Sequence, residues 1–252
     1  MTTNKIDLYS AVAKKYAASR PGYPNELFEY ISSLCENHNL AYDIGTGAGN
    51  AAIGLASHFD KIIAVDSSEK QIANAKQHPK INYRTCPAEE IDFPAQSADL
   101  VLVSTALHWF NTELFHDKIR PILKPNAIYA AWTYYTSRLT PEIDELISKY
   151  TTDIGSHWPP QALIAFDKYK DIHFPFENEL STPNFRISLK YTFNEFIAYV
   201  WTWSGTQNYI KNVNVDLYDQ FVRDTKEHWP NENEKKTVVW DLALKVFKHD
   251  NN

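Results

Sequence analysis

The chain has 252 residues, 44% of them hydrophobic and 22% charged, which is the balance of a globular protein with one large domain or one domain carrying an insert. A net charge of −6 with scattered lysines argues against nucleic acid or an anionic membrane as a partner. Two cysteines are too few for a disulfide framework or a cysteine-rich metal site. The start, MTTNKIDLYS, has no apolar core of signal-peptide length and the longest apolar runs are too short to span a bilayer, so we expect a cytoplasmic protein and, by default, a monomer.

The first half of the chain alternates between strand and helix patterns. The predicted strands are LAYDIG, KIIAVD, INYRTC, ADLVLVST and AIYAAWTYY. The predicted helices cover residues 5–18, 24–37, 50–58, 67–78 and 112–123. Alternation at this interval implies crossover connections, a parallel sheet and helices on both of its faces.

After about Tyr135 the pattern changes. Residues 140–175 look helical and irregular, NFRISLKYTF alternates like a strand, and residues 194–204 and 213–228 look helical. KTVVWDLALKVF reads as a last strand that rejoins the sheet. We therefore predict a Rossmann-like, seven-stranded, mostly parallel sheet with helices on both faces and a helical lid and insert. The predicted domains are a helical lid (1–38), a cofactor-binding core (39–135), a substrate-side helical insert (136–236) and a final strand with a tail (237–252).

A glycine turn, YDIGTGAGN at residues 42–50, follows the first predicted strand. A strand, a glycine turn and a helix place exposed backbone amides at the carboxyl end of a parallel sheet, where such sheets bind ligands. Gly45, Gly47 and Gly49 allow close approach, because a side chain there would collide with the ligand or force an unfavourable dihedral. The alternative is a tight turn that binds nothing.

Two ligand classes compete for this turn. Dinucleotide sites use G-x-G-x-x-G with amides turned towards a pyrophosphate, whereas the spacing here is G-x-G-x-G. Asp43, two residues before the first glycine, would repel a pyrophosphate and suits a cofactor with an amino group. Asp66 ends the second strand, where an acid can accept hydrogen bonds from ribose hydroxyls. These features favour an adenosyl cofactor over NAD.

Several motifs together resemble a known family. YDIGTGAGNAAIGLA, IIAVDSSEKQIANAK and CPAEEIDFPAQSADLVLVSTALHWF match, in order and spacing, the class I S-adenosylmethionine-dependent methyltransferases. KKYAASRPGYPNELFEYI and LHWF resemble the trans-aconitate methyltransferase-like group of small-molecule enzymes, which includes relatives acting on farnesoic acid and similar carboxylic acids. The resemblance implies S-adenosylmethionine as cofactor and S-adenosylhomocysteine as product.

The resemblance also implies the residues that hold this cofactor. They are Tyr16, Asp43, Gly45, Thr46, Gly47, Gly49, Asp66, Ser67, Gln71, Ala88, Glu89, Ser104 and Thr105. Asp43 and the glycine turn would hold the methionine portion, Asp66 the ribose hydroxyls, and Ala88 with Glu89 the adenine edge. Ser104 and the residues after it would lie under the sulfonium. Relatives often have methionine in place of Gln71, so we expect modestly weaker packing on the adenine.

The substrate side is predicted from two places. Tyr16 and Arg20 stand four residues apart in a segment that the resemblance implies is a lid, where Arg20 would meet a substrate acid or, alternatively, pair with a surface acid. His108, after the fourth strand, is predicted to be a general base or a hydrogen-bond donor, with a structural core histidine as the alternative. Further pocket residues are predicted to be Trp109, Trp132, Tyr134 and Trp203. WTWSG, at residues 201–205, would place its two tryptophans on different faces of one helix.

The chemistry favours a carboxylate acceptor. A carboxylate is already ionised at neutral pH and needs no general base, whereas an amine or a phenol usually does. The alternatives are N- or C-methylation of a small metabolite, a non-catalytic module that binds the adenosyl cofactor, and, less favoured, an NAD-dependent oxidoreductase. No zinc motif is present, so we expect no metal. STAL after the fourth strand replaces the Asn/Asp-Pro-Pro-aromatic motif of nucleic-acid amino methyltransferases, which again argues against a nucleic-acid substrate.

Overall fold

A computed structural model describes residues 22–250, which form two compact units. The core unit consists of Gly22–Tyr135, Ile164–Phe185 and residues 241–250. The helical unit consists, in its described part, of Thr136–Leu163 and Arg186–Trp240. The helix predicted over residues 5–18 lies outside the described residues.

The central strands of the sheet are apolar and buried on both faces. In chain order the strands are β1 (Leu40–Ile44), β2 (Lys61–Asp66), β3 (Ile81–Thr85), β4 (Ala98–Ser104), β5 (Leu123–Arg138), β6 (Asn178–Glu179), β7 (Arg186–Tyr191) and β8 (Lys236–Lys248). The order across the sheet is β3-β2-β1-β4-β5-β8-β6, and β7 pairs with β8. Strands β1 to β5 pair in parallel, whereas β6 is antiparallel to β8. The predicted Rossmann-like, mostly parallel sheet is confirmed, with a short eighth strand added at its edge.

Four of the nine helices in residues 22–250 begin after a residue whose side chain caps them. They are α1 (Asn25–Ser33), α2 (Asn50–Leu55), α3 (Glu69–Ala73), α4 (Thr112–Ile119), α5 (Pro141–Asp153), α6 (Pro160–Phe166), α7 (Phe193–Trp201), α8 (Ser204–Asn212) and α9 (Asp216–Glu227). The side chains of Ser68, Asn111 and Thr140 each accept a backbone N–H from the first turn of the helix that follows. Thr192 and Glu195 form a reciprocal capping box on α7.

Three predicted boundaries are wrong for identifiable reasons. α3 ends at Ala73 and buries none of its residues, so packing does not extend it to residue 78 as its propensity suggested. β5 begins at Leu123 because Leu123 already pairs with Ala98 of β4. The turn-like sequence Pro125-Asn126, with a φ of +63° at Asn126, lies in a register shift within the strand.

The third wrong boundary lies in WTWSG. α7 ends at Trp201, and Trp203 has extended backbone before α8 begins. The two tryptophans therefore do not share one helix. Gly205, in the first turn of α8, lets the ring of Trp158 pack closely on this helix, because a Cβ there would lie 2.6 Å from the ring.

The aromatic content of the chain serves largely as core. Trp229, Trp240 and Tyr218 are fully buried in the helical unit, where rings pack edge to face and stacked on one another. Trp132 and Tyr129 are fully buried in the core unit. Rings of this kind stabilise the two units whether or not any of them meets a substrate.

Candidate active site

The glycine turn joins β1 to α2 with three residues in the left-handed region. Gly45, Gly47 and Gly49 have φ values of +73°, +56° and +82°, which L side chains rarely adopt. The N–H groups of Gly45 and Thr46 both donate to the carbonyl of Val65, at 2.8 and 2.9 Å. The turn is thus fixed to the end of β2, at the carboxyl edge of the parallel strands.

The three glycines are required for different reasons. A Cβ on Gly45 would lie 2.5 Å from the Cβ of Ala106, and one on Gly49 would lie 2.2 Å from the hydroxyl of Tyr83. At these two positions the protein's own side chains leave no room for a Cβ. A Cβ on Gly47 would meet no atom within 4 Å. Gly47 faces open space, which is what a ligand that approaches the backbone needs.

Asp43 is a buried acid with one oxygen left over. Its Oδ2 accepts a hydrogen bond from the hydroxyl of Thr46 at 2.6 Å, and among the described residues its buried Oδ1 has no partner of hydrogen-bonding geometry. Burial raises the pKa of Asp43 to about 7, although the Thr46 hydroxyl and the backbone N–H of Ala52 oppose the rise, and the charge of Asp66 adds to it. A cationic amino group near Oδ1 would stabilise the carboxylate.

Asp66 connects the end of β2 to the glycine turn. Its Oδ2 accepts the N–H of Gly47 at 2.8 Å and its Oδ1 accepts the N–H of Ser68 at 2.9 Å. A carboxylate oxygen can accept more than one hydrogen bond, so both oxygens keep capacity for the two hydroxyls of a ribose. Ser67 lies exposed between these two contacts.

The residues predicted to meet the adenine surround the end of β3. Gln71 is exposed in α3 and its N–H donates to the capping hydroxyl of Ser68. Ala88 is buried in a turn of 3-10 helix, Ala88–Glu90. The Oε1 of Glu89 accepts the N–H of Asn111 at 2.6 Å, which ties this turn to the start of α4.

The end of β4 carries uncharged hydroxyl groups. Thr105, which follows Ser104, has a φ of +53°, and its N–H donates to the carbonyl of Trp132 at 2.7 Å. The hydroxyl of Tyr23 lies 3.0 Å from Thr105 Oγ1. Burial raises the pKa of Tyr23, so its phenol keeps its proton beside Thr105 at neutral pH.

His108 and Trp109 follow in a turn of 3-10 helix, Leu107–Trp109. His108 is buried, and its Nδ1 lies 3.1 Å from the hydroxyl of Tyr169. Trp109 is 56% exposed. The histidine is thus held by a second buried side chain, and the tryptophan next to it is not part of the packed core.

The other predicted substrate residues are spread over both units. Trp132 is fully buried in the core unit, where its ring packs edge to face on Tyr23 with centroids 5.0 Å apart. Tyr134, two residues further along β5, is half-buried. Trp203 belongs to the helical unit and packs on Trp158. Tyr16 and Arg20 lie outside the described residues, so their roles stay predictions.

Three residues at this edge were not found from the sequence. Tyr23 lies in the motif RPGYP, whose resemblance was noted without a role for the tyrosine. Tyr83 sits against Gly49 and donates from its hydroxyl to the carbonyl of Lys76. Tyr169 lies in a segment that looked only helical and irregular. Each one reaches the site through a contact between residues distant in sequence, which periodicity does not reveal.

The hydrogen-bonding groups of the site fit the adenosyl cofactor. The unpartnered oxygen of Asp43 suits an amino group, and the remaining acceptor capacity of Asp66 suits a ribose. The open space at Gly47 allows a ligand to approach the backbone closely. Within residues 22–250, no group of three or more histidine, cysteine, aspartate or glutamate side chains is arranged to hold a metal ion. None of the helices in the same range has the length and apolar character that crossing a bilayer requires.

Comparison with known proteins agrees with this geometry. Residues 42–131 match the family described as "Methyltransferase domain". A Dictyostelium discoideum protein named as a methyltransferase is 36% identical over 218 residues, which cover 84% of this chain and 82% of that protein. A Saccharomyces cerevisiae protein named as an S-adenosylmethionine-dependent methyltransferase is 24% identical over 250 residues, covering 84% of this chain and 86% of that protein.

A solved structure gives the same result for the fold. A protein from Anaeromyxobacter dehalogenans, described as a type II methyltransferase, has a TM-score of 0.86 and 30% identity, with 92% of this chain and 99% of that chain covered. The Saccharomyces cerevisiae relative is named for the cofactor that the sequence predicted, S-adenosylmethionine. The chain belongs to the class I S-adenosylmethionine-dependent methyltransferases.

Proposed function

We propose that the methyl acceptor is a carboxylate oxygen of a small molecule, as in the trans-aconitate methyltransferase-like group that the sequence resembles. The observation that carries this proposal is the set of uncharged donors at the carboxyl ends of β4 and β5. Tyr23, Ser104, Thr105 and His108 lie around that edge of the core unit. Donors of this kind hold a carboxylate by hydrogen bonds and leave it nucleophilic.

The cofactor would be held by the glycine turn and its two acids. S-adenosylmethionine, when bound, supplies an electrophilic methyl group on a sulfonium. Asp43 would pair with the amino group of the cofactor, and Asp66 would accept hydrogen bonds from its ribose hydroxyls. The open space at Gly47 would let the cofactor lie close to the backbone. Ser104 and Thr105 would lie beneath the transferred methyl, and Ala88, Glu89 and Gln71 would surround the adenine.

The protein's part in the reaction is then alignment. In-line displacement needs the nucleophilic oxygen on the far side of the methyl group and needs water excluded. Because a carboxylate carries its charge at neutral pH, no residue has to remove a proton from it. We place Trp109, Trp132 and Tyr134 of the core unit on the substrate side, whereas Trp203 and Arg20 stay predictions from the sequence.

N- or C-methylation is the second candidate, and the position of His108 favours it. The histidine follows the end of β4 directly, where a base for an amine or a carbon acid would be needed. A non-catalytic role would show itself as cofactor binding without any methylated product.

The experiment is incubation of the protein with S-adenosylmethionine labelled in its methyl group and a panel of small carboxylic acids and amines. We expect label in a carboxylic acid product, and we expect mild alkali to release that label as methanol, because a methyl ester hydrolyses and an N- or C-methyl group does not. Alkali-stable label would overturn carboxylate methylation in favour of the second candidate.

Replacement of the histidine gives an independent reading. His108→Ala should lower turnover of a carboxylic acid by about tenfold, the value of one lost hydrogen bond. Near-complete loss would identify a base and contradict the proposal. His173→Ala, at an exposed position in the same unit, is the matched control and should leave turnover unchanged.

A further inference from the structure

Tyr169 is a buried tyrosine whose hydroxyl contacts the candidate active-site histidine. It is 1% exposed, and its hydroxyl lies 3.1 Å from Nδ1 of His108, a residue 61 positions away in sequence. The rings of the two residues are tilted with centroids 6.0 Å apart. Tyr169 therefore reaches the ring nitrogen through its hydroxyl and not by stacking.

The backbone that carries Tyr169 is held in an unusual conformation. Lys168 and Tyr169 have φ values of +60° and +59°, a region that non-glycine residues adopt at a cost of about 1 kcal/mol or more each. The N–H of Tyr169 donates to the carbonyl of Ile164, and the Lys168 ammonium lies 4.5 Å above the ring of Tyr135. The surrounding contacts thus keep the hydroxyl directed at His108.

The relative strengths of the two partners decide which one gives the proton across the 3.1 Å contact between the Tyr169 hydroxyl and Nδ1 of His108. A phenol hydroxyl is a better donor than an imidazole N–H, and an unprotonated imidazole nitrogen is a better acceptor than a phenol oxygen. Burial raises the pKa of Tyr169, so the phenol keeps its own proton at neutral pH. The hydroxyl of Tyr169 therefore donates to Nδ1 of His108, which acts as acceptor.

We propose that Tyr169 is a positioning residue that holds His108 in the tautomer with its proton on Nε2. A neutral imidazole with Nδ1 as acceptor carries its proton on the other nitrogen. His108 then donates a hydrogen bond from Nε2 to the methyl acceptor and does not remove a proton from it. This inference rests on the proposed function, since a donating histidine suits a carboxylate and a basic one suits an amine or a carbon acid.

The test is nitrogen NMR of the full chain labelled with ¹⁵N-histidine, with S-adenosylhomocysteine bound, at pH 8, which lies above the ordinary histidine pKa of about 6.5. The two ring nitrogens of a neutral imidazole differ strongly in shift according to which one carries the proton. The chain has nine histidines, and the signal of His108 is the one lost in His108→Gln. We expect the Nε2–H tautomer in the wild type by about tenfold, the preference that one hydrogen bond supports.

Tyr169→Phe removes the hydroxyl and keeps the ring, so His108 should shift towards a mixture of tautomers. Tyr129→Phe is the matched control: Tyr129 is also buried, and its hydroxyl lies 3.2 Å from Nε2 of His116. That variant should change the His116 signal and leave His108 as in the wild type.

Two results would overturn the inference: an Nδ1–H tautomer in the wild type, or a tautomer unchanged in Tyr169→Phe. The first needs no variant, so the inference stays testable if Tyr169→Phe does not fold. The proposed acceptor is tested apart from it by the methylation panel. An Nε2–H histidine that depends on Tyr169 supports the positioning role even where the panel yields no methyl ester.

Discussion

The carboxylate of Asp66 accepts the backbone N–H of Gly47 at 2.8 Å, from the end of one strand to the turn after its neighbour. The other oxygen of Asp66 accepts the N–H of Ser68. One side chain therefore orders the glycine turn and presents acceptor capacity at the same edge. The residue proposed to bind the ribose hydroxyls therefore also holds the glycine turn in its conformation.

Asp66→Ala should weaken S-adenosylhomocysteine binding by about a hundredfold, because it removes two charge-assisted ribose contacts and loosens the turn at Gly47. Isothermal titration calorimetry on wild type and variant measures the change, and NAD should give no signal with either. Asp60→Ala, exposed just before the other end of β2, is the control that should bind as the wild type does. Equal affinity in Asp66→Ala and wild type would remove Asp66 from the site.

Alanine replacements separate the two kinds of glycine in the turn. Gly47→Ala places its Cβ in open space, so it should cost only about 1 kcal/mol of stability through its positive φ, yet reduce S-adenosylhomocysteine affinity at least tenfold. Gly49→Ala places its Cβ 2.2 Å from the Tyr83 hydroxyl and should cost more, about 2–4 kcal/mol. Thermal unfolding and calorimetry test both effects.

Tyr83→Phe supplies the control for this comparison. Removing the hydroxyl takes away the nearest atom and leaves the ring carbon 2.9 Å from the new Cβ. The double variant Gly49→Ala/Tyr83→Phe should therefore recover part of the stability lost in Gly49→Ala. The double variant Gly47→Ala/Tyr83→Phe should recover none of the affinity lost in Gly47→Ala. If Gly47→Ala bound the ligand as tightly as wild type, the open face at Gly47 would not be a cofactor contact.

The sequence predicted those features of the site that lie close together in the chain. The strand, the glycine turn and the first acid lie within the ten residues 40–49. β2 was placed at its observed bounds because the apolar run IIAV lies between Lys61 and Asp66. Such features depend on backbone dihedrals and on burial, which periodicity and glycine spacing report directly.

The sequence did not predict the contacts between residues that are far apart in the chain. Tyr23 meets Thr105 across 82 positions and Tyr169 meets His108 across 61. A tyrosine is an ordinary core residue by composition, and only the fold decides which hydroxyl reaches which partner. The start of β5 was missed for a related reason, since it depends on the pairing of Leu123 with Ala98 of β4, and a register shift in the strand accommodates the turn preference of Pro125-Asn126.

The raised pKa of Asp43 makes a prediction about pH. The folded, cofactor-free protein holds the proton of this carboxyl up to about pH 7, whereas the unfolded chain releases it near 3.8. Between those values the folded state binds more protons, so this group's contribution to stability is lost as pH rises towards 7. Asp43→Asn should therefore remove a fall of roughly 2 kcal/mol in unfolding free energy between pH 5 and pH 7.

Ligand binding should respond in the opposite direction. Ionised Asp43 would pair with the amino group of S-adenosylhomocysteine, so wild-type affinity should rise between pH 5 and pH 8 while the affinity of Asp43→Asn stays low and nearly constant. Urea unfolding and calorimetry across that range give both quantities. Parallel pH profiles in wild type and variant would show that Asp43 titrates outside this window. Asp60→Asn controls for a lost surface carboxylate.

Tyr23→Phe tests the anchoring of the β4 edge. The variant keeps the ring that packs on Trp132 and removes only the hydroxyl next to Thr105, whose backbone has a positive φ. We expect a loss of about 1 kcal/mol in stability, and about tenfold weaker S-adenosylhomocysteine binding because the residues proposed to lie under the sulfonium lose their anchor.

Tyr30→Phe is the matched control for that change. It also removes one tyrosine hydroxyl in the core unit, which donates to the carbonyl of Ser181 at 3.0 Å, away from the ends of β4 and β5. Its stability loss should be smaller, because the lost bond is exposed to water, and its ligand affinity should equal that of the wild type. Equal affinity in the two variants would mean that Tyr23 stabilises the fold without shaping the site; a loss confined to Tyr23→Phe ties the hydroxyl to cofactor binding.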